Sequence, residues 1–155
     1  MNNYSKKTLN SYRDKDKWIK IVTKTNFDSN EYNNFYNYCG YQFLPKLYNY
    51  EKFDNFDKLT MEFIEGETLT NNNINSFIRY LSYKIILSFL EWTKIKKYEN
   101  SIFFHVDLKI ENFLITENKK LFLIDIDSLL FTSYDFFDVI LNEIYRKDQK
   151  FIKNP

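Results

Sequence analysis

Glycine is nearly absent: the 155 residues hold only Gly40 and Gly66. No glycine-rich loop can be built from two glycines this far apart, and any loop approaching a ligand must do so with Cβ atoms in the way. Proline occurs twice, at Pro45 and Pro155, so no proline-rich linker divides the chain. The one cysteine, Cys39, excludes both a disulfide framework and a thiolate zinc site. Neither sign of charge is in excess. With 22 Lys and Arg against 21 Asp and Glu, the net charge is +1, which argues against nucleic acid as a partner because such proteins carry a basic surplus or stripe. The densest basic stretch, Lys94-Ile95-Lys96-Lys97, reads as the solvated C-terminal end of a helix. No window reaches the ~18 apolar residues that cross a bilayer. The opening MNNYSKKTLN lacks the apolar stretch of a signal peptide, so a soluble, cytoplasmic protein is expected.

What the chain has in quantity is aromatic. Sixteen Phe, thirteen Tyr and two Trp make up 20% of the residues, within an apolar total of 44%. At this length one domain is expected, able to bury roughly two-thirds of its unfolded surface without a metal or disulfide.

Residues 1–14 are polar and weakly strand-like. Lys17–Val22 (KWIKIV) reads as a strand after a turn at Asp14-Lys15-Asp16. Asp28 or Ser29 caps a predicted helix to Cys39, with Tyr32, Phe35, Tyr36 and Cys39 on one face and Gly40 where a left-handed terminal residue is wanted. Two strands follow, at 46–53 and 58–64, around a turn at 54–57; Glu65-Gly66-Glu67 breaks the second. Residues 74–98 carry helical periodicity around much of the circumference, the mark of a central helix. Short strands are expected at 102–104, 113–116 and 121–126, and an amphipathic helix at 134–147. The order gives an α+β fold.

The chemistry concentrates in FFHVDLKIENFLI (103–115) and LFLIDID (121–127). Carboxylates at the mouths of apolar strands are costly unless paired, hydrogen-bonded or metal-bound. Taken singly, each residue has an ordinary structural explanation: His105 as a satisfied core histidine, Asp107 as a turn former, Lys109 and Glu111 as surface residues, Asp125 and Asp127 as a solvated strand end. Taken together, Asp107, Asn112 and Asp125 supply hard oxygen donors. These suit Mg²⁺ or Mn²⁺ shared with phosphates, with Lys109 and Lys20 available for phosphate charge.

HVDLKIENFLI resembles the catalytic loop of protein kinases, H-R-D-L-K-x-E-N before an apolar strand, with Val106 in place of Arg. LFLID, whose Asp125 follows Asn112 by thirteen residues, resembles the strand leading to the metal-binding aspartate of that superfamily. WIKIV resembles the strand that carries the phosphate-anchoring lysine, here Lys20, with Glu31 on the next helix as its ion-pair partner. MEFIEGETL (61–69) resembles the hinge between lobes, where backbone at Glu62 and Ile64 would hold an adenine ring.

The resemblance implies a reduced bilobal protein kinase-like fold. A small antiparallel-sheet lobe would span 1–64, and a truncated helical lobe 65–155. It implies ATP with Mg²⁺ (or Mn²⁺) as cofactors and Asp107 as the group orienting the attacking hydroxyl. Lys109 would offset charge on the moving phosphoryl, and Asn112 and Asp125 would hold the metal.

Two departures shape the expectation. No Gly-x-Gly-x-x-Gly exists, and the segment before Lys20 has room for two short strands at most. Asp125 is followed by Ile126-Asp127, a D-x-D pattern that looks more like small-molecule and sugar kinases than regulated protein kinases. The expected function is phosphoryl transfer to a hydroxyl, on a sugar or small molecule or on protein Ser/Thr. The alternative is a weak or inactive relative acting as a nucleotide- or protein-binding module. Asp135 or Asp138 would brace the catalytic loop from the last helix, or simply line its polar face.

Overall fold

The computed structural model describes residues 6–70, 72–97, 100–133, 135 and 138. Its first part is an antiparallel sheet in the order β1-β2-β4-β3, built from Thr8–Asp14, Lys17–Val22, Leu47–Lys52 and Asp57–Glu62. β4 alternates strictly, with Asp57, Leu59 and Met61 inward, as period-two patterning requires. Among the described residues, β1 alone precedes the strand that carries Lys20, and all seven of its residues are exposed. The turn into β2 is made by Lys15 in the left-handed region (φ 59°), a position filled without glycine.

Helix α1 (Ser29–Tyr38) begins where expected, because the Asp28 carboxylate accepts from the amides of Asn30 and Glu31. Its C-terminal end differs from expectation. No glycine among the described residues has a positive φ, and Gly40 instead opens a 3-10 turn to Gln42. Between the sheet and the rest of the chain runs an extended segment ending in β5 (Glu67–Thr68). There Gly66 is required by close approach: a Cβ would lie 2.7 Å from the Ile115 carbonyl oxygen.

Helix α2 (Ser76–Lys96) is capped by Asn75 and ends at Lys97 in the left-handed conformation. Thr93 ties it to the next strand, β6 (Ser101–His105), accepting from the Phe103 amide while donating to the Phe89 carbonyl. Phe89 is fully buried among Phe35, Phe43, Phe103 and Phe104, so the aromatic surplus is spent on this core. α2 is less enclosed than its broad apolar pattern predicts. Ile78, Ile85, Phe89 and Trp92 are buried, whereas Phe77, Tyr80, Tyr83 and Leu87 are exposed, because β6 and β8 pack on one side only.

The remaining strands are β7 (Phe113–Ile115), β8 (Leu121–Leu123) and β9 (Leu129–Ser133). β5, β7 and β8 form one small sheet, and β6 pairs antiparallel with β9. β9 is a strand the sequence does not announce. β8 stops at Leu123, earlier than expected, because Asp125 takes a left-handed backbone and a 3-10 turn follows at Ile126–Ser128. The helix expected at 134–147 falls outside the described residues, apart from the exposed Asp135 and Asp138.

The fold is therefore mixed α+β: an antiparallel sheet with one helix, then a part built on a long helix with short hairpins. No helix among the described residues is long and apolar enough to cross a membrane.

Candidate active site

A cavity of about 460 Å³ opens between the four-stranded sheet and the β7–β8 hairpin. Its walls include Trp18 and Lys20 from β2, Met61 to Ile64 at the end of β4, and Asn112, Leu114, Ile124 and Asp125 from the opposite side. Segments far apart in sequence thus face one space.

At one end of this space lies a compact ion cluster. Lys20 Nζ bonds both Asp125 Oδ1 and, at 2.9 Å, Asp127 Oδ1. A second ammonium, Lys6 Nζ, reaches the same pair, 2.9 Å from Asp125 Oδ1 and 2.5 Å from Asp127 Oδ2. Asp127 is fully buried, and Asp125 is partly buried. Burial works to raise the Asp125 pKa, but Lys20 and Lys6 more than offset it and hold the carboxyl well below the usual carboxylate range. Lys20 behaves as the mirror image. Burial alone would lower its pKa, yet Asp127 and Asp125 carry it above 10.5, so the ammonium stays charged. Ser128 completes the turn, its hydroxyl donating to Asp125 Oδ2 and its amide to the Asp125 carbonyl.

The loop between β6 and β7 is held by His105, which is completely buried. Its Nε2–H donates to the Ile124 carbonyl at 2.9 Å, and its Nδ1 accepts from the Asp107 amide at 3.2 Å; the two partners dictate a neutral tautomer. This one ring couples the position of Asp107 to the strand that presents Asp125. Burial pushes the His105 pKa below 6.5, although Asp125 and the Ile124 carbonyl pull it upward. The unfolded chain therefore binds a proton that the folded chain refuses, so stability is full above about pH 6.5 and falls below it. Urea titrations at pH 7.5 and pH 5.5 are expected to show lower stability at the lower pH from this group. His105→Gln should flatten that dependence while lowering stability at the higher pH. An unchanged pH slope in the variant would assign the effect elsewhere.

Asn112 Nδ2 donates to the Asp107 backbone carbonyl (2.7 Å) and to its carboxylate (3.3 Å), and the Asn112 carbonyl accepts from the Ile124 amide. With its nitrogen so engaged, the amide oxygen of Asn112 is left as the donor atom toward a cation. Lys109 Nζ stands 3.5 Å from the Asp107 carboxylate, and both side chains are about half exposed, at the mouth of the site. At the sheet end, Glu62 lines the cavity and its carboxylate accepts from the Lys46 amide. The Glu62 and Phe63 amides are spent on the carbonyls of Lys46 and Asp16, whereas the Ile64 amide has no partner among the described residues.

Glu31 requires a correction, because the structure does not bring it to Lys20. The buried face of α1 turns toward α2, where the indole N–H of Trp92 donates to Glu31 Oε1 at 2.7 Å and Lys96 lies 3.6 Å from Oε2. A buried indole needs an acceptor, and Glu31 supplies it, while Lys20 is satisfied by two aspartates. Conversely, the sequence reading gave Asp127 no role and passed over Lys6. The D-x-D pattern was the available signal for Asp127; nothing local in KKTLN marks Lys6.

The donor set suits a hard divalent cation. Asp125 and Asp127 already balance two unit positive charges side by side, the charge that one such ion carries, and Asn112 adds a neutral oxygen. No group of three or more His, Cys, Asp or Glu converges among the described residues, so the remaining ligands would have to be water and substrate oxygens, as magnesium prefers.

Comparison with known proteins fits this geometry. The dual specificity protein kinase zakA of Dictyostelium discoideum is 30% identical over 129 residues, which is 81% of this chain and 16% of that protein. The Cydia pomonella granulovirus kinase PK-1 superposes with a TM-score of 0.50 at 18% identity, over 83% of this chain and 52% of that one. Monomeric WbdD superposes with a TM-score of 0.47 at 17% identity, over 86% and 36%. The chain thus spans about half the length of PK-1 and a small part of zakA, and at such identities the structural likeness concerns the fold. A family model described as the ABC1 atypical kinase-like domain matches residues 42–154, the stretch holding His105, Asp107, Asn112 and the Asp125–Asp127 pair. This chain belongs to the ABC1 atypical kinase-like family.

Proposed function

We propose that this chain is an ATP- and magnesium-dependent phosphotransferase that moves the γ-phosphoryl group to a hydroxyl. The observation that carries this reading is the meeting of Lys20 with Asp125 across 105 residues of sequence, in a cavity that also takes in Asn112. In this reading the adenine lies against Trp18 and Met61 with Ile64 offering its backbone amide, and Lys20 holds phosphate oxygens. Asn112 and Asp125, joined by Asp127, hold the metal, which when bound neutralises charge on the phosphates. Asp107 accepts the acceptor's proton, and Lys109 offsets charge on the transferring group. The acceptor we favour is a sugar or small molecule over a protein side chain, because Asp125-Ile126-Asp127 follows the D-x-D pattern of small-molecule and sugar kinases.

One observation favours a second reading, a binding module without transfer. The β1–β2 turn is glycine-free, so it cannot lie as close to phosphates as a glycine loop does. Thermal-shift titration tests the nucleotide binding that the phosphotransferase reading requires, and transfer of label from ATP separates it from a module that binds without transfer. Mg-ATP at a hundredfold excess over its dissociation constant is expected to stabilise the chain by about 2.7 kcal/mol, and Asp125→Asn is expected to remove most of that shift. No shift in the wild type at millimolar Mg-ATP would overturn the phosphotransferase reading.

A further inference from the structure

Lys6 is the feature that the reading above leaves unused. It lies just before β1 and is not a loose end: the next residue, Lys7, donates its amide to the Thr23 hydroxyl at 2.8 Å, and its carbonyl accepts from the Thr23 amide at 2.9 Å. The Lys6 side chain is only 17% exposed and reaches the carboxylates of Asp125 and Asp127 beside Lys20. The four charges cancel as they stand. Once a divalent cation neutralises the two aspartates, however, Lys6 is left largely buried without a counter-charge, which is costly unless an anion replaces it. The cavity that borders Lys20 and Asp125 is where a phosphate chain would lie, and no glycine loop is there to supply backbone amides to it.

We infer that Lys6 is a second phosphate-binding cation, which rests on Asp125 and Asp127 in the empty site and transfers to the nucleotide's phosphates when metal and nucleotide enter together. It takes over, by charge, the work that a glycine-rich loop does by backbone hydrogen bonds. The inference rests on the phosphotransferase reading and adds a residue to it.

The signature is a pair of opposite effects. Removing Lys6 removes a competitor for the aspartates and also a contact to the phosphates. Lys6→Ala is therefore expected to bind Mn²⁺ alone severalfold more tightly, read by electron paramagnetic resonance of the free ion. The same variant is expected to bind Mg-ATP about tenfold more weakly, read by calorimetry, as loss of a charge-assisted hydrogen bond implies. Lys6→Arg, which keeps the charge, should retain most of the Mg-ATP affinity. Lys6→Met, which keeps the aliphatic stem, gives the same comparison if the alanine variant does not fold. Tighter binding of both Mn²⁺ and Mg-ATP by Lys6→Ala would make Lys6 a plug and overturn the inference, and so would unchanged affinity for both. A wild type that binds no Mg-ATP would overturn the phosphotransferase reading itself; a wild type that binds it with Lys6→Ala unchanged sinks only the role of Lys6.

Discussion

Asp107→Asn is expected to lower phosphoryl transfer by about 10²–10⁴-fold, the range that a positioned general base contributes, while leaving the fold and Mg-ATP affinity nearly intact. The asymmetry follows from where Asp107 sits. Its carboxylate is half exposed, and its contacts are Lys109 at 3.5 Å and Asn112 at 3.3 Å. An asparagine keeps the shape, and the loop is held by backbone bonds that the substitution does not touch: the Asp107 amide to His105 and its carbonyl to Asn112. Stability should change by no more than ~0.5 kcal/mol. Single-turnover transfer from labelled ATP to a sugar mixture, measured beside Mg-ATP calorimetry, checks both halves. Transfer surviving within a few-fold of wild type would remove Asp107 from the chemistry, whatever the binding result.

Phe89→Ala is expected to cost 3–5 kcal/mol, roughly the range for removing a large aromatic from a rigid core. Phe89 is 0% exposed and touches four rings: Phe104 at 5.5 Å, Phe35 at 5.5 Å, Phe103 at 6.2 Å and Phe43 at 6.4 Å between centroids. These come from α1, the residue just past the 3-10 turn after it, and β6, so one truncation loosens the contact between sheet and helical parts. A domain with a typical 5–15 kcal/mol of stability would lose a large share of it, and its melting temperature should fall by roughly 10 °C. Phe77→Ala on the exposed face of the same helix serves as the control and should stay within about 0.5 kcal/mol. Equal losses from the two would mean that the ring cluster around Phe89 is not the core of this chain.

The elements and residues legible in the sequence share one property: each is specified locally. β2 and β4 announce themselves by alternation, α1 by its Asp28 cap, α2 by its period, and the loop from His105 to Asn112 by spacing within eight residues. What escaped depends on partners far along the chain. LLFTS at 129–133 becomes a strand because β6 lies beside it, from Ser101↔Ser133 to His105↔Leu129. Glu31 looks like an ion-pair partner for Lys20 until Trp92, 61 residues away, presents a buried N–H to it. Lys6 looks like an ordinary surface lysine until folding closes 119 residues between it and Asp125. The open face of α2 belongs with these, since periodicity reports which side chains are apolar and not what covers them.

Asp125 meets two unrelated demands at a single position, and this bears on how such a site can decay. Its backbone sits at φ 64°, ψ 50°, where residues with a branched Cβ are strained and glycine, asparagine and aspartate are most at ease, although lysine also enters this region at Lys15 and Lys97. A β-branched replacement would therefore strain the turn as well as remove the charge. Asparagine and glycine remove the charge with the least strain on the turn. Charge and turn can thus be lost separately at this position, and those two replacements separate them.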